Sequence, residues 1–114
     1  MKINIKNPPR KYQGGFNTSV EISDCGEIHA EANEQLTFHT ESAKEYDITA
    51  KNWGFYATPS INGRLIDQGF KTALVKNCCD KYYIMLVDTN KLNEFHHYLL
   101  EDKQTLIEWL DERT

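Results

Sequence analysis

The densest group of chemically useful side chains lies between Trp53 and Leu65, where three aromatic residues, a proline, an Asn-Gly pair and an arginine occur together. Aromatic faces beside an amide and a guanidinium are typical of pockets that bind a sugar, a nucleotide or a carboxylate. This pattern predicts a site in which Trp53 and Tyr56 stack on a ligand, Arg64 binds an anionic group and Asn62 with Gly63 forms a type I′ turn. The candidate binding residues are Trp53, Tyr56, Ser60, Asn62, Arg64 and Lys71.

A structural interpretation of the same segment is the main alternative. Aromatic side chains mostly serve as packing material, so Trp53, Phe55 and Tyr56 could supply core volume where strands cross. In that case Arg64 would form a structural salt bridge with the acidic part of the chain. Substitution of Arg64 and Tyr56 by alanine separates the two interpretations, because a binding site would lose its ligand while folding is unchanged, and structural residues would lose the fold.

The cysteines and histidines raise the question of a metal site. Cys25, His29, Cys78 and Cys79 are the weak candidate ligands. Structural zinc sites usually pair Cys-x2–4-Cys with His-x3–5-His, whereas Cys78 and Cys79 are adjacent, so their side chains diverge on an extended chain. We therefore predict three reduced thiols, no metal and no cofactor.

Two functional hypotheses from different classes follow. The first is a non-catalytic binding or accessory module that uses segment 53–65 to hold a small anionic ligand or a protein partner. The alternative is a small enzyme acting on an anionic sugar or nucleotide-sugar metabolite, with Arg64 and either Lys51 or Lys71 binding the charge. A catalytic site receives no support from motifs, because Ser60 lacks the Gly-x-Ser-x-Gly context and no phosphate-binding glycine loop is present. No catalytic residue is assigned.

Length and composition narrow the class of protein. The chain has 114 residues and a net charge of −4, with 39% hydrophobic residues. These values predict one globular domain and argue against a nucleic-acid or membrane partner, since both need basic or long apolar surface. The N-terminus has no apolar leader, and the cysteine count is odd, so we expect a cytoplasmic protein. A homodimer is slightly favoured over a monomer, with the weak first strand as a free edge or exchanged arm.

The elements that must position these residues separate into two parts. Alternation of apolar and polar residues predicts antiparallel strands up to about residue 88, with a loop over 7–15 after a short first strand and a turn at 24–27. Strands 70–76 and 82–87 are apolar on both faces, joined by a hairpin turn at 77–80. Leu92, Phe95, Leu99, Leu106 and Leu110 recur at helical spacing, which predicts one long helix, or two short ones broken near 101–104, over 89–112. The fold class is therefore α+β: a twisted antiparallel β-sheet or meander with the C-terminal helix packed on one face.

The run Trp53-Gly-Phe-Tyr-Ala-Thr-Pro-Ser-Ile-Asn-Gly-Arg-Leu65, followed by Phe70–Asn77, resembles a group of small bacterial proteins that have no settled function. The likeness continues through Tyr83–Val87 to Trp109–Asp111 and covers about two-thirds of the chain. The resemblance implies a self-contained bacterial domain, and it supplies no catalytic residue.

Overall fold

The computed structural model describes all residues from 1 to 114, in eight strands and two α-helices. The predicted α+β class and the antiparallel strands are confirmed. The prediction of a single twisted sheet is not: the strands form three small sheets. In chain order the elements are β1 (Lys2–Gly14), β2 (Val20–His29), β3 (Gln35–His39), β4 (Glu45–Lys51), β5 (Gly54–Ala57), α1 (Arg64–Asp67), β6 (Phe70–Lys76), β7 (Tyr82–Asp88), α2 (Leu92–Glu101) and β8 (Thr105–Trp109).

The chain groups into two compact units. The first unit contains residues 1–14 and 19–58, and the second contains residues 15–18 and 59–114. The single domain expected from chain length stays a prediction. No helix is both long enough and apolar enough to cross a bilayer.

In the first unit, β1 and β2 form a two-stranded antiparallel sheet. The loop predicted over 7–15 is wrong, because β1 continues to Gly14, although its pairing with β2 is interrupted between Ile5 and Arg10. The register shifts between Ile5 and Arg10, and the Asn7–Pro8 peptide is cis. Proline is tolerated at such an irregularity because no ladder N–H is required there. The turn predicted at 24–27 is also wrong, since Gly26 lies inside β2 opposite Ile5.

The other sheet of the first unit has the order β3-β4-β5. Its alternation matches the sequence pattern: Leu36 lies opposite Ile48 and Phe38 opposite Tyr46 on one face. On the other face, Thr37 Oγ1 donates a hydrogen bond to the buried Asp47 carboxylate over 2.7 Å.

The second unit contains the main core, which lies between the sheet β7-β6-β8 and helix α2. Ala73, Val75, Val87 and Leu99 are buried together, with Phe95 and Trp109 among the side chains packed against them. The predicted β6–β7 hairpin is confirmed. Its turn is held by Asn77 Oδ1, which accepts hydrogen bonds from the N–H groups of Cys79 and Lys81.

A C-terminal helix is present, but it is shorter than predicted. Helix α2 ends at Glu101, and the chain reverses through Lys103, which has a φ of 54°. Residues 105–109 then form β8, which pairs antiparallel with β6. The helical spacing of Leu106 and Leu110 is therefore coincidental, because Leu106 lies in a strand and Leu110 begins a 3-10 turn.

Candidate functional site

The three aromatic residues of the predicted site lie on or next to β5 and face solvent. Trp53, in the turn between β4 and β5, is 68% exposed, and Phe55 and Tyr56 are 77% and 50% exposed. The alternative that these rings supply core volume is therefore wrong. Exposed tryptophan and tyrosine are typical of interaction surfaces, where large rigid side chains contribute most of the binding energy.

Strand β5 also has a free edge. It is the last strand of its sheet, and its only partner is β4. Thr58 N–H donates to the Asp47 carbonyl over 3.2 Å, just beyond the pair Ala57–Ile48. Because hydrogen-bonded and non-hydrogen-bonded pairs alternate in an antiparallel ladder, Tyr56 bonds to β4 while Phe55 and Ala57 direct their N–H and C=O groups outward.

Tyr56 and Phe55 lie on opposite faces of this sheet. Phe55 pairs with the buried Ala50 on the face that carries Phe38 and Tyr46, while Tyr56 pairs with Thr49. The edge of β5 is thus bordered by one ring above and one ring below the strand. We call this surface, formed by Trp53, Phe55, Tyr56 and the outer backbone of β5, the aromatic edge.

The remaining candidates of segment 53–65 belong to the second unit, where they form the start of α1. Ser60 Oγ accepts a hydrogen bond from Arg64 N–H over 2.9 Å, and the Ser60 carbonyl accepts from Gly63 and Leu65. The predicted type I′ turn is wrong, because that turn needs positive φ and Gly63 has a φ of −132°. Asn62 and Arg64 are exposed, and Ser60 has a local structural role.

Lys71 lies on β6 and is engaged within the protein. Its Nζ is 2.8 Å from Asp111 Oδ2 and 2.9 Å from Glu112 Oε2, and it lies 4.9 Å from the centroid of the Trp109 ring. The hydrogen bond that Lys71 donates to Asp111 is the largest of the causes that raise the pKa of Lys71. The two carboxylates therefore largely compensate the positive charge of Lys71. The hypothesis of an enzyme that binds an anionic sugar through Lys71 stays a prediction.

The candidate metal ligands are all exposed. Cys25 and His29 lie on β2, and Cys78 and Cys79 lie in the β6–β7 turn; all three thiols are free. No group of three or more His, Cys, Asp or Glu side chains has the arrangement of a metal site.

The structure also contains a pocket that the sequence did not indicate. It lies wholly within the second unit and has a volume of about 310 Å³. This volume is at the lower end of the range for small-molecule sites. Three aromatic rings and a thioether supply its apolar wall, and two amides and a carboxylate supply its polar groups. The lining residues are Gly15, Phe16, Asn77, Tyr83, Met85, Tyr98, Asp102 and Gln104.

Asp102 organises this pocket. Its Oδ1 accepts hydrogen bonds from the N–H groups of Phe16, Asn17 and Thr18 over 2.7–2.9 Å, and from Thr18 Oγ1 over 3.2 Å. Its Oδ2 accepts from Gln104 Nε2 over 2.6 Å. The N–H of Thr18, together with the other donors, outweighs burial and holds the pKa of Asp102 far below its usual range.

The tyrosine hydroxyls of the pocket are held by its amides. Asn77 Nδ2 donates to Tyr83 Oη over 3.4 Å, and Gln104 Nε2 lies 3.5 Å from Tyr98 Oη. Gln104 Oε1 is buried and accepts no hydrogen bond. The two amides therefore lie beside the tyrosine hydroxyls at long distance, and one amide oxygen is left without a donor.

Comparison with known proteins gives no relative. No family model matches the chain, and no curated protein and no solved structure shows a significant similarity.

Proposed function

We propose that this protein is a non-catalytic binding module that captures an extended segment of a protein partner at the aromatic edge. The partner segment adds to β5 as a further antiparallel or parallel strand. Its backbone bonds to the outward N–H and C=O groups of Phe55 and Ala57. Its apolar side chains contact Phe55 on one face of the sheet and Tyr56 on the other, as in other cases of strand addition.

The observation that carries this proposal is the combination of three exposed rings with an unpaired strand edge. Natural proteins usually protect such an edge with lysine, proline or a covering element. Strand β5 itself, Gly-Phe-Tyr-Ala, contains neither a charge nor a proline. Exposure of aromatic area costs free energy in the isolated protein, and a partner that buries it recovers that cost.

The test uses a display library of short random peptides selected on the immobilised protein. We expect the selected peptides to alternate apolar and polar residues and to slow hydrogen exchange at the Phe55 and Ala57 amides. Ala57→Pro removes an outward N–H without removing a β4–β5 hydrogen bond, so it should weaken binding roughly tenfold or more while the fold is retained.

Phe38→Ser is the matched control, because Phe38 is half exposed on β3, at the opposite edge of the same sheet. It should leave peptide binding unchanged, whereas Phe55→Ser should weaken it. Failure to select any peptide that protects these two amides would overturn the proposal, as would equal binding by the folded Ala57→Pro variant.

A further inference from the structure

The charge that lines the pocket in the second unit is of one sign, which is negative. The lining contains one carboxylate, Asp102, and no lysine, arginine or histidine. The hydrogen bonds from residues 16–18 keep that carboxylate ionised at every physiological pH, since they lower its pKa. An anionic ligand would be repelled from this lining.

The aromatic side chains of the pocket also favour a positively charged ligand. Phe16, Tyr83 and Tyr98 all line the pocket, and each ring is between a third and about one half exposed. The face of an aromatic ring carries partial negative charge, and a cation within about 6 Å of its centroid is attracted to it. Met85 completes the wall with a polarisable thioether.

One side of the pocket is pre-organised. The loop that carries Phe16 is fastened to Asp102 by three N–H groups. A loop that is already fixed loses little conformational entropy when a ligand binds. The loop depends on Gly15, whose φ is 93° and whose substitution by any residue with a Cβ would collide with the Thr18 carbonyl.

We propose that this pocket binds a small organic ammonium ion, held between the rings of Phe16, Tyr83 and Tyr98 with Asp102 supplying the negative charge. The site is separate from the aromatic edge, and it adds a small-molecule ligand to the proposed protein partner. Its volume of about 310 Å³ accommodates a cation of the size of choline.

The test compares choline with its uncharged isostere 3,3-dimethyl-1-butanol in titrations followed by NMR of the isotopically labelled protein. We expect choline to shift the resonances of Phe16, Tyr83 and Tyr98 with a Kd in roughly the millimolar range, and the neutral alcohol to bind roughly tenfold or more weakly. Butyrate, an anion of similar size, should produce no shift in these residues.

Ring variants separate charge recognition from simple filling of a cavity. Tyr98→Leu and Tyr83→Leu keep an apolar side chain but remove the ring face, so each should weaken choline binding several-fold. Tyr98→Phe and Tyr83→Phe retain the ring and should bind choline within about twofold of the wild type. The amide spectrum of each variant reports whether it is folded.

Equal affinity for choline and the neutral alcohol would overturn the proposal, and so would the absence of any shift at high choline concentration. Unchanged choline binding by both folded leucine variants would overturn it as well. None of these results bears on the aromatic edge, whose test uses peptides and different variants.

Discussion

The side chain of Asp102 accepts the hydrogen bonds that backbone carbonyls would otherwise accept from the loop at residues 16–18. Its carboxylate satisfies three consecutive N–H groups that face no other acceptor, and it does so while 1% exposed. A buried carboxylate with such a set of donors is a structural anchor, because each donor would otherwise be desolvated without compensation. The aspartate therefore fixes both the loop and one wall of the pocket.

Asp102→Ala should lower the free energy of unfolding by about 3 kcal/mol, since it leaves several buried donors unsatisfied. Urea denaturation followed by tryptophan fluorescence measures this change. Glu21→Ala is the control: Glu21 forms an exposed ion pair with Lys11, so we expect a loss of less than about 1 kcal/mol. Equal losses in the two variants would contradict the anchoring role.

The same carboxylate predicts a dependence of stability on pH. The pKa of Asp102 is lower in the folded protein than in the unfolded chain, so the unfolded chain binds its proton first. Its contribution is complete above the unfolded value of about 4 and is lost as the pH falls toward the folded value. Asp24, Glu34 and Asp111 also have lowered pKa values and act in the same direction.

Comparison with Asp102→Asn isolates this contribution. We expect the difference in urea midpoint between the wild type and Asp102→Asn to shrink as the pH falls from 7 to about 3. A difference that stays constant over this range would show that ionisation of Asp102 does not stabilise the fold. The other three carboxylates are present in both proteins, so their effects cancel in the comparison.

At the scale of elements, the apolar core is concentrated in the sheet that contains β6. Val75 is fully buried there, whereas Val20 on β2 is 48% exposed. Val75→Ala should therefore cost about 2 kcal/mol of unfolding free energy, and Val20→Ala about 0.5 kcal/mol or less. The substitution is chemically identical in the two strands, so denaturant midpoints measure burial directly. Similar costs at both positions would contradict this distribution of the core.

Local elements could be predicted from the sequence, and elements that depend on distant pairing could not. The β6–β7 hairpin was predicted because its turn and both strands lie within one short stretch of chain. The sequence predicts a helix where β8 lies, because the spacing of Leu106 and Leu110 fits a helical period. These residues form a strand instead because they pair with β6, which is distant along the chain.

The same reasoning explains which candidate site the sequence indicates. The rings of the proposed aromatic edge lie within one short segment, so residue types alone indicate Trp53 and Tyr56 as candidates. The pocket could not be predicted, because Asp102 binds backbone groups 84 to 86 residues away along the chain. No composition or spacing in a single sequence signals such a contact, and the polar stretch around Asp102 predicted only a break in a helix.

At the scale of the whole molecule, the two faces of the β1–β2 sheet differ in polarity. Ile3 lies opposite Ile28 and Tyr12 opposite Ile22, and together with Ile5 they form one apolar face whose side chains are 38–76% exposed. An isolated two-stranded sheet is only marginally stable in water. The Asp24 carboxylate pairs with Lys6 and Arg10, which compensates one of these two positive charges.

We therefore keep the prediction of a homodimer but place its interface on this apolar face and no longer at the edge of the first strand. Native mass spectrometry of the reduced protein should give twice the chain mass of 13.3 kDa. Ile5→Lys, at the most exposed position of the face, should give the monomer mass. Lys11→Glu on the opposite face is the control and should leave the dimer intact. A wild-type protein that stays monomeric at high concentration would contradict the prediction.

The division of the chain into two units has a consequence for how this protein can be dissected. Residues 15–18 belong to the second unit, although the strands on either side of them belong to the first. A fragment that begins at Pro59 would keep β6, β7, β8 and α2 but would lose the backbone N–H groups that donate hydrogen bonds to Asp102. A single cut therefore cannot release either unit in complete form. The residues of the two units alternate along the chain, so neither unit can be transplanted complete as one continuous segment.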